Sequence, residues 1–354
     1  MAETMSNDAP PWIAGPLQRT LASSHAHALL IHGPSGVGQF ELALALAAAW
    51  LCESAAVQLG ERPCGACASC RLIAARSHPD LVVVVPDALR EALGWNASAG
   101  EGEEGGEGSK KKPSKEIRVE AIRAAIEFAT TTSSRGRGKF LVVHPAERMN
   151  PIAANAFLKT LEEPAGGTRF LLCSSAPDRL LATIRSRCQG VPMQVPPPDQ
   201  AEAWLARQRV EEPALLLAAS GGQPQEALAL VARGVDATAW RGLPAQVLRG
   251  DASTLLRWPL PLVVETLQKL CHDALSIACG SAPRYFPARS IATGAEPAAL
   301  LRWSRELGRL AGQADHPWGV DLAIENLVEQ GREALKTPRS PGREEKALSL
   351  NSGR

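Results

Sequence analysis

The chain has 354 residues, which is enough for two or three domains. Apolar residues make up 45% of it and charged residues 21%, as in ordinary soluble proteins. Its formal net charge of +1 provides no overall attraction to nucleic acid, so any such contact must come from a local patch.

The N-terminus and the cysteine usage indicate a compartment. The opening residues, MAETMSNDAP, lack the basic and apolar segments of a signal peptide. The longest apolar run, Leu42 to Leu51, falls far short of the roughly 20 residues that a membrane-spanning helix needs. The eight cysteines are clustered rather than spaced as a disulfide framework. These features predict a cytoplasmic protein without a membrane partner.

The first predicted elements lead into a glycine-rich loop. A short helix is predicted over Pro11 to Ala26 and a buried strand over Ala28 to Ile31. The loop GPSGVG follows at residues 33–38, and a helix begins at about Glu41. Strand, glycine loop and helix form the layout of a phosphate-binding P-loop, although a turn of this kind also arises by chance.

Two side chains that a working P-loop needs are replaced. A lysine that reaches the β- and γ-phosphates and a Ser or Thr that ligates magnesium normally follow the last glycine. Here Gln39 and Phe40 follow Gly38. Gln39 carries no charge to offset a phosphate, and Phe40 cannot ligate a metal. We expect Gly33 and Gly38 to keep the shape of the loop, hydrolysis of ATP to be absent, and weak anion binding by main-chain amides to remain open.

Four cysteines after this helix have the spacing C-x11-C-x2-C-x2-C: Cys52, Cys64, Cys67 and Cys70. Cys-x2-Cys steps place thiolates on one tight turn, and four sulfurs complete a tetrahedral Zn²⁺ shell at about 2.3 Å. With no open position for water, such a site is structural. An iron–sulfur cluster and free thiols are the less favoured alternatives. The remaining cysteines are predicted to be small core residues: Cys173, Cys188, Cys271 and Cys279.

The next stretch contains a buried strand and a low-complexity loop. Leu81 to Val85 is apolar without alternation, which is typical of a parallel strand covered on both faces. Residues from about 96 to 115, rich in Gly, Glu and Lys, are predicted to be a disordered loop. A solvent-exposed segment without a binding role is favoured over a docking site for this loop. After a predicted helix, the loop TTSSRGRGK carries three cations, Arg135, Arg137 and Lys139.

The strand Phe140 to Val143 lacks the acidic pair that should follow it. In a P-loop ATPase, acidic residues at this strand end hold magnesium and activate water. His144 and Pro145 occupy these positions, and Glu147 is expected to face elsewhere. A structural role for His144 is favoured over metal ligation. The second half of the ATP machinery is therefore degenerate too.

Strands continue to alternate with helices up to about residue 195. A helix is predicted over Asn150 to Glu163, a strand over Arg169 to Cys173 and a helix over Leu180 to Arg187. The alternation predicts an α/β domain with a mainly parallel sheet. The sequence Ser186-Arg187-Cys188 ends the last helix. Its arginine fits either a surface ion pair or an arginine finger that stabilises phosphate charge in a neighbouring active site.

Helical patterns fill the rest of the chain. The proline cluster at residues 196–198 marks a boundary. Helices are predicted at 201–207, at 213–233 with an interruption at Gly221-Gly222, around 263–277 and 300–310, and at 320–335. The tail from Lys336 is rich in Lys, Arg, Ser, Gly and Pro and is predicted to be disordered.

Several motifs occur in an order that resembles one family: HALLIHGPSGVGQFELA, CGACASC, RMNPIAANAFLKTLEEP, ATIRSRCQ and the closing HPWGVDLAIENLVE. Together they resemble the delta-prime subunits of bacterial DNA polymerase III clamp loaders. The resemblance is strong over residues 11–195 and is a matter of pattern beyond them.

The resemblance implies a P-loop NTPase-like α/β domain of the AAA+ class over residues 1–195, with a zinc knuckle at 52–70. It further implies a small helical lid at 196–240 and an all-α collar for oligomerisation at 241–335. Members of the family act as non-hydrolysing stators in a hetero-pentamer with delta and gamma/tau motor subunits, which loads a sliding clamp onto primer–template DNA during replication. By matching position, Arg187 is the finger and Cys52, Cys64, Cys67 and Cys70 are the zinc ligands. The insertion near residue 105 and the basic tail have no role in the resemblance.

Two other functions are weighed against this one. An active gamma/tau-type motor needs Lys and Ser or Thr at positions 39 and 40. A zinc-ribbon nucleic-acid binder is disfavoured by the near-neutral charge, although Arg135, Arg137 and Lys139 are candidates for DNA contact. The chain is expected to be a subunit of a DNA-directed DNA polymerase, a nucleotidyltransferase, without a polymerase site of its own, because no acidic metal-binding pair follows a strand.

Overall fold

A computed structural model of the chain describes residues 9–95, 113–311 and 319–336. Most of the loop predicted at 96–115 and of the tail predicted from Lys336 lies outside these residues. The described residues form two compact units, one within residues 1–204 and 223–226, the other within residues 205–222 and 227–354. Among the described helices, none has the length and apolar character needed to cross a membrane.

The first unit is built on a parallel five-stranded sheet with strand order β2-β3-β4-β1-β5. Its strands are β1 (Ala28–His32), β2 (Leu81–Val84), β3 (Phe140–Val143), β4 (Arg169–Ser174) and β5 (Gln189–Pro192). Strand β1 lies between β4 and β5, with Leu30 opposite Leu172 and Ile31 opposite Val191. The glycine loop therefore leaves an interior strand of the sheet.

Helices between consecutive strands provide the crossovers that parallel pairing requires, whereas the first and last helices precede β1 and follow β5. In chain order the helices are α1 (Ala14–Ser23), α2 (Gln39–Leu51), α3 (Ala68–Ala74), α4 (Asp87–Leu93), α5 (Val119–Thr130), α6 (Pro151–Glu162), α7 (Ala182–Arg185) and α8 (Pro198–Arg207). Side chains of β1 alternate between two hydrophobic cores, one on each face of the sheet. Leu29 and Ile31 pack with α2, whereas Leu30 packs in the core that contains Phe157 of α6.

The second unit is helical throughout its described part. Its helices are α9 (Pro213–Ala219), α10 (Pro224–Ala232), α11 (Ala237–Arg249), α12 (Leu260–Ala278), α13 (Pro297–Ala311) and α14 (Val320–Leu335), the first residues of α10 belonging to the first unit. The fully buried Trp240 centres its core and stacks on Phe286 at 4.5 Å between ring centroids. The buried Asp273 accepts hydrogen bonds from the main-chain amides of residues 284–286.

Four elements differ from the sequence prediction, two of them for identifiable reasons. Strand β5 was missed because Gly190 and Pro192 weaken the strand pattern, and β5 lies at the edge of the sheet. Helix α11 was missed because Pro244 lies inside it. Helix α1 is shorter than the predicted Pro11–Ala26, and α7 is reduced to one turn.

Candidate functional site

The side chain of Gln39, the residue that follows the glycine loop, forms hydrogen bonds to main-chain carbonyls of that loop. Gly36 and Gly38 have φ of 68° and 98°, which favours glycine, and Gly38 caps the N-terminus of α2. The buried amide of Gln39 donates from Nε2 to the carbonyl oxygens of Gly33 at 2.9 Å and Pro34 at 2.5 Å. The residue in the lysine position thus ties loop carbonyls together and offers no charge to a phosphate.

Residues 223–226, which belong to the same compact unit, lie against this loop. Ser35 donates its hydroxyl to Glu226 Oε1 at 2.5 Å, and the main-chain amide of Gln225 donates to the Gly36 carbonyl at 3.1 Å. A Cβ on Gly36 would lie 2.7 Å from Glu226 Cγ. A carboxylate is therefore the immediate neighbour of the loop, where it repels a phosphate. This contact joins residues 191 positions apart, so no local sequence pattern predicts it.

Phe40 and His144 occupy the two positions at which a P-loop ATPase places magnesium ligands, and they stack on each other. Their ring centroids are 4.8 Å apart with an interplanar angle of 27°. Burial lowers the pKa of His144 to about 4, so the ring is neutral at pH 7. His144 Nδ1 is buried without a partner among the described residues. The imidazole is therefore held by ring packing rather than by a hydrogen bond at this nitrogen.

The acidic residue nearest this strand end is used elsewhere. Glu147 Oε1 accepts hydrogen bonds from the main-chain amide and the hydroxyl of Ser175, at 3.0 and 2.8 Å. Pro145 follows His144 as a partly buried residue and supplies no ligand atom. The imidazole of His144 and the pyrrolidine ring of Pro145 thus stand where the acidic pair would be.

Arg187 lies just beyond the C-terminus of α7 on the surface of the unit. It forms an ion pair with Glu162, the last residue of α6, and its NH1 donates to the Thr183 carbonyl at 2.9 Å. The exposed fractions of the two side chains are 33% and 47%. Two acceptors orient the guanidinium, and its side chain is partly exposed to solvent. This geometry is compatible with both interpretations of the sequence, a surface ion pair and an arginine finger.

The four spaced cysteines converge as predicted, with sulfur atoms within 4.8 Å of one another. The Cys64–Cys70 and Cys52–Cys67 sulfur pairs are each 4.0 Å apart. A tetrahedron with zinc–sulfur bonds of about 2.3 Å has edges of about 3.8 Å, so the donor set and its size fit Zn²⁺.

Main-chain amides favour the thiolate form of part of this cluster. The amides of Ala66 and Cys67 lower the pKa of Cys64 to about 6, whereas burial raises the pKa of Cys70. The amide of Cys70 donates to Cys67 Sγ at 3.4 Å at the start of α3. A dication held by these four cysteines would favour ionisation of the remaining thiols, because thiolates are the ligands it requires.

The cations of the loop before β3 are mostly engaged inside the protein. Lys139 is 4% exposed and donates its ammonium to the Phe128 carbonyl at 3.0 Å. Arg135 pairs with Glu53, whose pKa it lowers to about 2. Arg137 remains exposed. Of the three candidates for DNA contact, two therefore have structural partners, which the sequence alone did not reveal.

The other cysteines are only partly the core residues that were expected. Cys173 and Cys271 are buried, and burial raises the pKa of each thiol. Cys188 is half-buried and Cys279 is exposed, because Cys279 follows the last turn of α12. The prediction was wrong for Cys279.

Comparison with known proteins gives the family. The model of the family described as "DNA polymerase III, delta subunit" matches residues 13–197. The DNA polymerase III subunit delta' of Escherichia coli is 32% identical over 281 residues, covering 73% of this chain and 76% of that protein. This chain belongs to the DNA polymerase III delta' family.

Two further similarities place the chain within this family and its fold. The delta' subunit of Pseudomonas aeruginosa is 39% identical over 232 residues, which span 64% of this chain and 61% of that protein, less than two thirds of its length. A DNA polymerase III gamma subunit-related protein of Thermotoga maritima is 18% identical, with a TM-score of 0.53 covering 91% of this chain and 99% of that one. The delta' family member described here thus shares the fold of that protein, and its own structure is a parallel α/β unit followed by helices.

Proposed function

We propose that this delta' family member is a non-hydrolysing subunit of the bacterial DNA polymerase III clamp loader. It would help to load the sliding clamp onto primed DNA during replication in the cytoplasm. The stack of Phe40 on His144 carries this proposal. Two rings fill the positions from which a P-loop ATPase coordinates magnesium, and without the metal the β- and γ-phosphates lose their main counter-charge.

Arg187 is proposed to act on a neighbour's ATP. A guanidinium that reaches the γ-phosphate of an adjacent subunit stabilises the charge that builds up during hydrolysis. The support is its place at a surface helix end, with a partly exposed side chain held by Glu162 and Thr183. An exposed pair of this kind is worth only about 0–1 kcal/mol, so a phosphate competes effectively for the arginine.

The rest of the chain is proposed to serve assembly. Residues 1–195 would form the AAA+ domain with a structural Zn²⁺ at the four cysteines, residues 196–240 the lid and residues 241–335 the collar. The partners would be delta and gamma/tau motor subunits in a hetero-pentamer. Leu322 and Val320 of α14, 73% and 40% exposed, support a role in assembly, because a subunit interface would remove their apolar surface from water.

The decisive experiment measures ATP binding and hydrolysis by the chain alone and after mixing with motor and delta subunits. We expect no binding alone and turnover on assembly. Arg187→Ala should lower the turnover contributed by the adjacent motor by on the order of 10³-fold or more, with assembly intact. Arg185→Ala is the matched control, since Arg185 lies two residues away and pairs with Asp178.

Other outcomes would point to other functions. ATP binding by the isolated chain would favour a gamma/tau-type motor. Salt-sensitive DNA affinity of the isolated chain would favour a zinc-ribbon nucleic-acid binder. Equal turnover with Arg187→Ala and Arg185→Ala would refute the finger.

A further inference from the structure

Arg135 joins the two separate segments of chain that carry the cysteine cluster. Its Nε donates to Glu53 Oε1 at 2.6 Å and its NH2 to Glu53 Oε2 at 3.0 Å. The same Nε lies 3.1 Å from Ser69 Oγ. Glu53 directly follows Cys52, and Ser69 directly precedes Cys70. One guanidinium thus bridges the segment of the first cysteine and the turn that carries the last.

The main chain around Arg135 is itself fixed. Asp80, which is fully buried, accepts hydrogen bonds from the amides of Ser134 at 2.7 Å and Arg135 at 2.9 Å. His78 bonds Ser69 Oγ through Nε2 at 3.0 Å and accepts from the Asp80 amide through Nδ1 at 3.0 Å. The loop that carries Arg135 is therefore anchored to Asp80, which lies immediately before β2.

Electrostatics favours a cation at this place when the cluster holds a metal. Four thiolates around one Zn²⁺ carry a net charge of −2. The Glu53 carboxylate next to that dianion would be unfavourable alone, and the bidentate pair with Arg135 neutralises it. The ion pair of Arg135 and Glu53 is thus electrostatically compatible with a metal-loaded cluster of four thiolates.

We propose that Arg135 is a positioning residue of the metal site: it clamps the Cys52 segment to the Cys67–Cys70 turn and thereby couples metal retention to the order of the loop 131–138. This inference rests on the zinc assignment made under the proposed function. Outer-shell partners of metal ligands typically contribute 10–100-fold in metal affinity. Because coupling is reciprocal, the metal stabilises the loop by the same factor by which the loop stabilises the metal.

Zinc release from the full chain tests the clamp. Metal content is measured first by elemental analysis, and release is then followed with a chromogenic chelator at neutral pH. Arg135→Ala should release zinc about 10–100-fold more readily than the unaltered chain. Arg137→Ala, in the same loop with an exposed side chain, is the matched control and should behave as the unaltered chain. Arg135→Lys should lie between them, because an ammonium cannot form the bidentate contact.

Further variants keep the test decisive if Arg135→Ala does not fold. Glu53→Gln retains the side-chain length and removes the charge, and it should increase release several-fold. Hydrogen exchange at residues 133–135 should accelerate when zinc is removed from the unaltered chain. Release from Arg135→Ala or Glu53→Gln at the unaltered rate, or exchange indifferent to zinc, would overturn the clamp. A chain with no bound zinc would overturn the metal assignment and the clamp with it, while leaving the ATP experiments unaffected.

Discussion

Replacing His144 with Phe should remove a loss of stability that the unaltered chain suffers at mildly acidic pH. The imidazole stacks on Phe40, and burial lowers its pKa to about 4, against an ordinary value of about 6.5, although Glu147 opposes part of this shift. Phenylalanine preserves a ring at this position and cannot take up a proton.

The sign and size of the effect follow from proton linkage. The pKa is lower in the folded chain than in the unfolded one, so the unfolded chain binds the proton first as the pH falls. Stability from this group is complete above about pH 6.5 and falls by about 1.4 kcal/mol per pH unit down to about pH 4. At pH 5, the unaltered chain should have lost about 2 kcal/mol through His144 alone.

Urea unfolding at pH 7.5 and pH 5.0 measures this difference. The fall in free energy of unfolding between the two pH values should be about 2 kcal/mol smaller in His144→Phe than in the unaltered chain. His25→Gln, which removes an exposed imidazole, is the control and should keep the full fall. An equal fall in His144→Phe and the unaltered chain would refute the buried, neutral imidazole beside the glycine loop.

Two further predictions concern the same unit. Glu162→Gln should lower the Michaelis constant of the assembled loader for ATP by up to about 5-fold, because it removes a carboxylate that competes for Arg187. Asp178→Asn removes a similar exposed partner from another arginine and should leave the constant unchanged, and an increase with Glu162→Gln would contradict the competition. In urea unfolding, Phe40→Ala and His144→Ala should show a coupling energy of about 0.5–1.5 kcal/mol, and additivity within about 0.3 kcal/mol would contradict the stack.

The sheet was predictable from local sequence wherever burial is complete. Strand β3 extends over Phe140–Val143, as predicted, because four consecutive buried apolar residues suit only a strand covered on both faces. The edge strand β5 follows no such pattern, since only Val191 of its residues is buried and its pairing with β1 comes from the tertiary structure. Helix α11 likewise forms around Pro244 because Trp240 and Leu243 are buried in the helical core.

The candidate site was predictable in its ligand atoms and not in its surroundings. Spacing alone brought Cys64, Cys67 and Cys70 onto one turn, because short loops leave the chain few alternatives. The bond between Arg135 and Glu53 joins residues 82 positions apart. A cation in a polar loop has the same sequence pattern whether it contacts solvent, DNA or an internal carboxylate, so only the structure separates these cases.

The packing of Phe40 and His144 determines what it would cost to restore magnesium ligands at these two positions. Phe40 is 6% exposed and belongs to the core between β1 and α2, so truncating a phenylalanine there costs about 3–5 kcal/mol. That is a large share of the roughly 5–15 kcal/mol that holds a typical domain folded. A serine at position 40 would also leave His144 without its stacking partner, and an acid at position 144 would place a charge against a ring. Neither substitution supplies a magnesium site alone, and each weakens the fold first, so packing itself favours the two rings that occupy these positions.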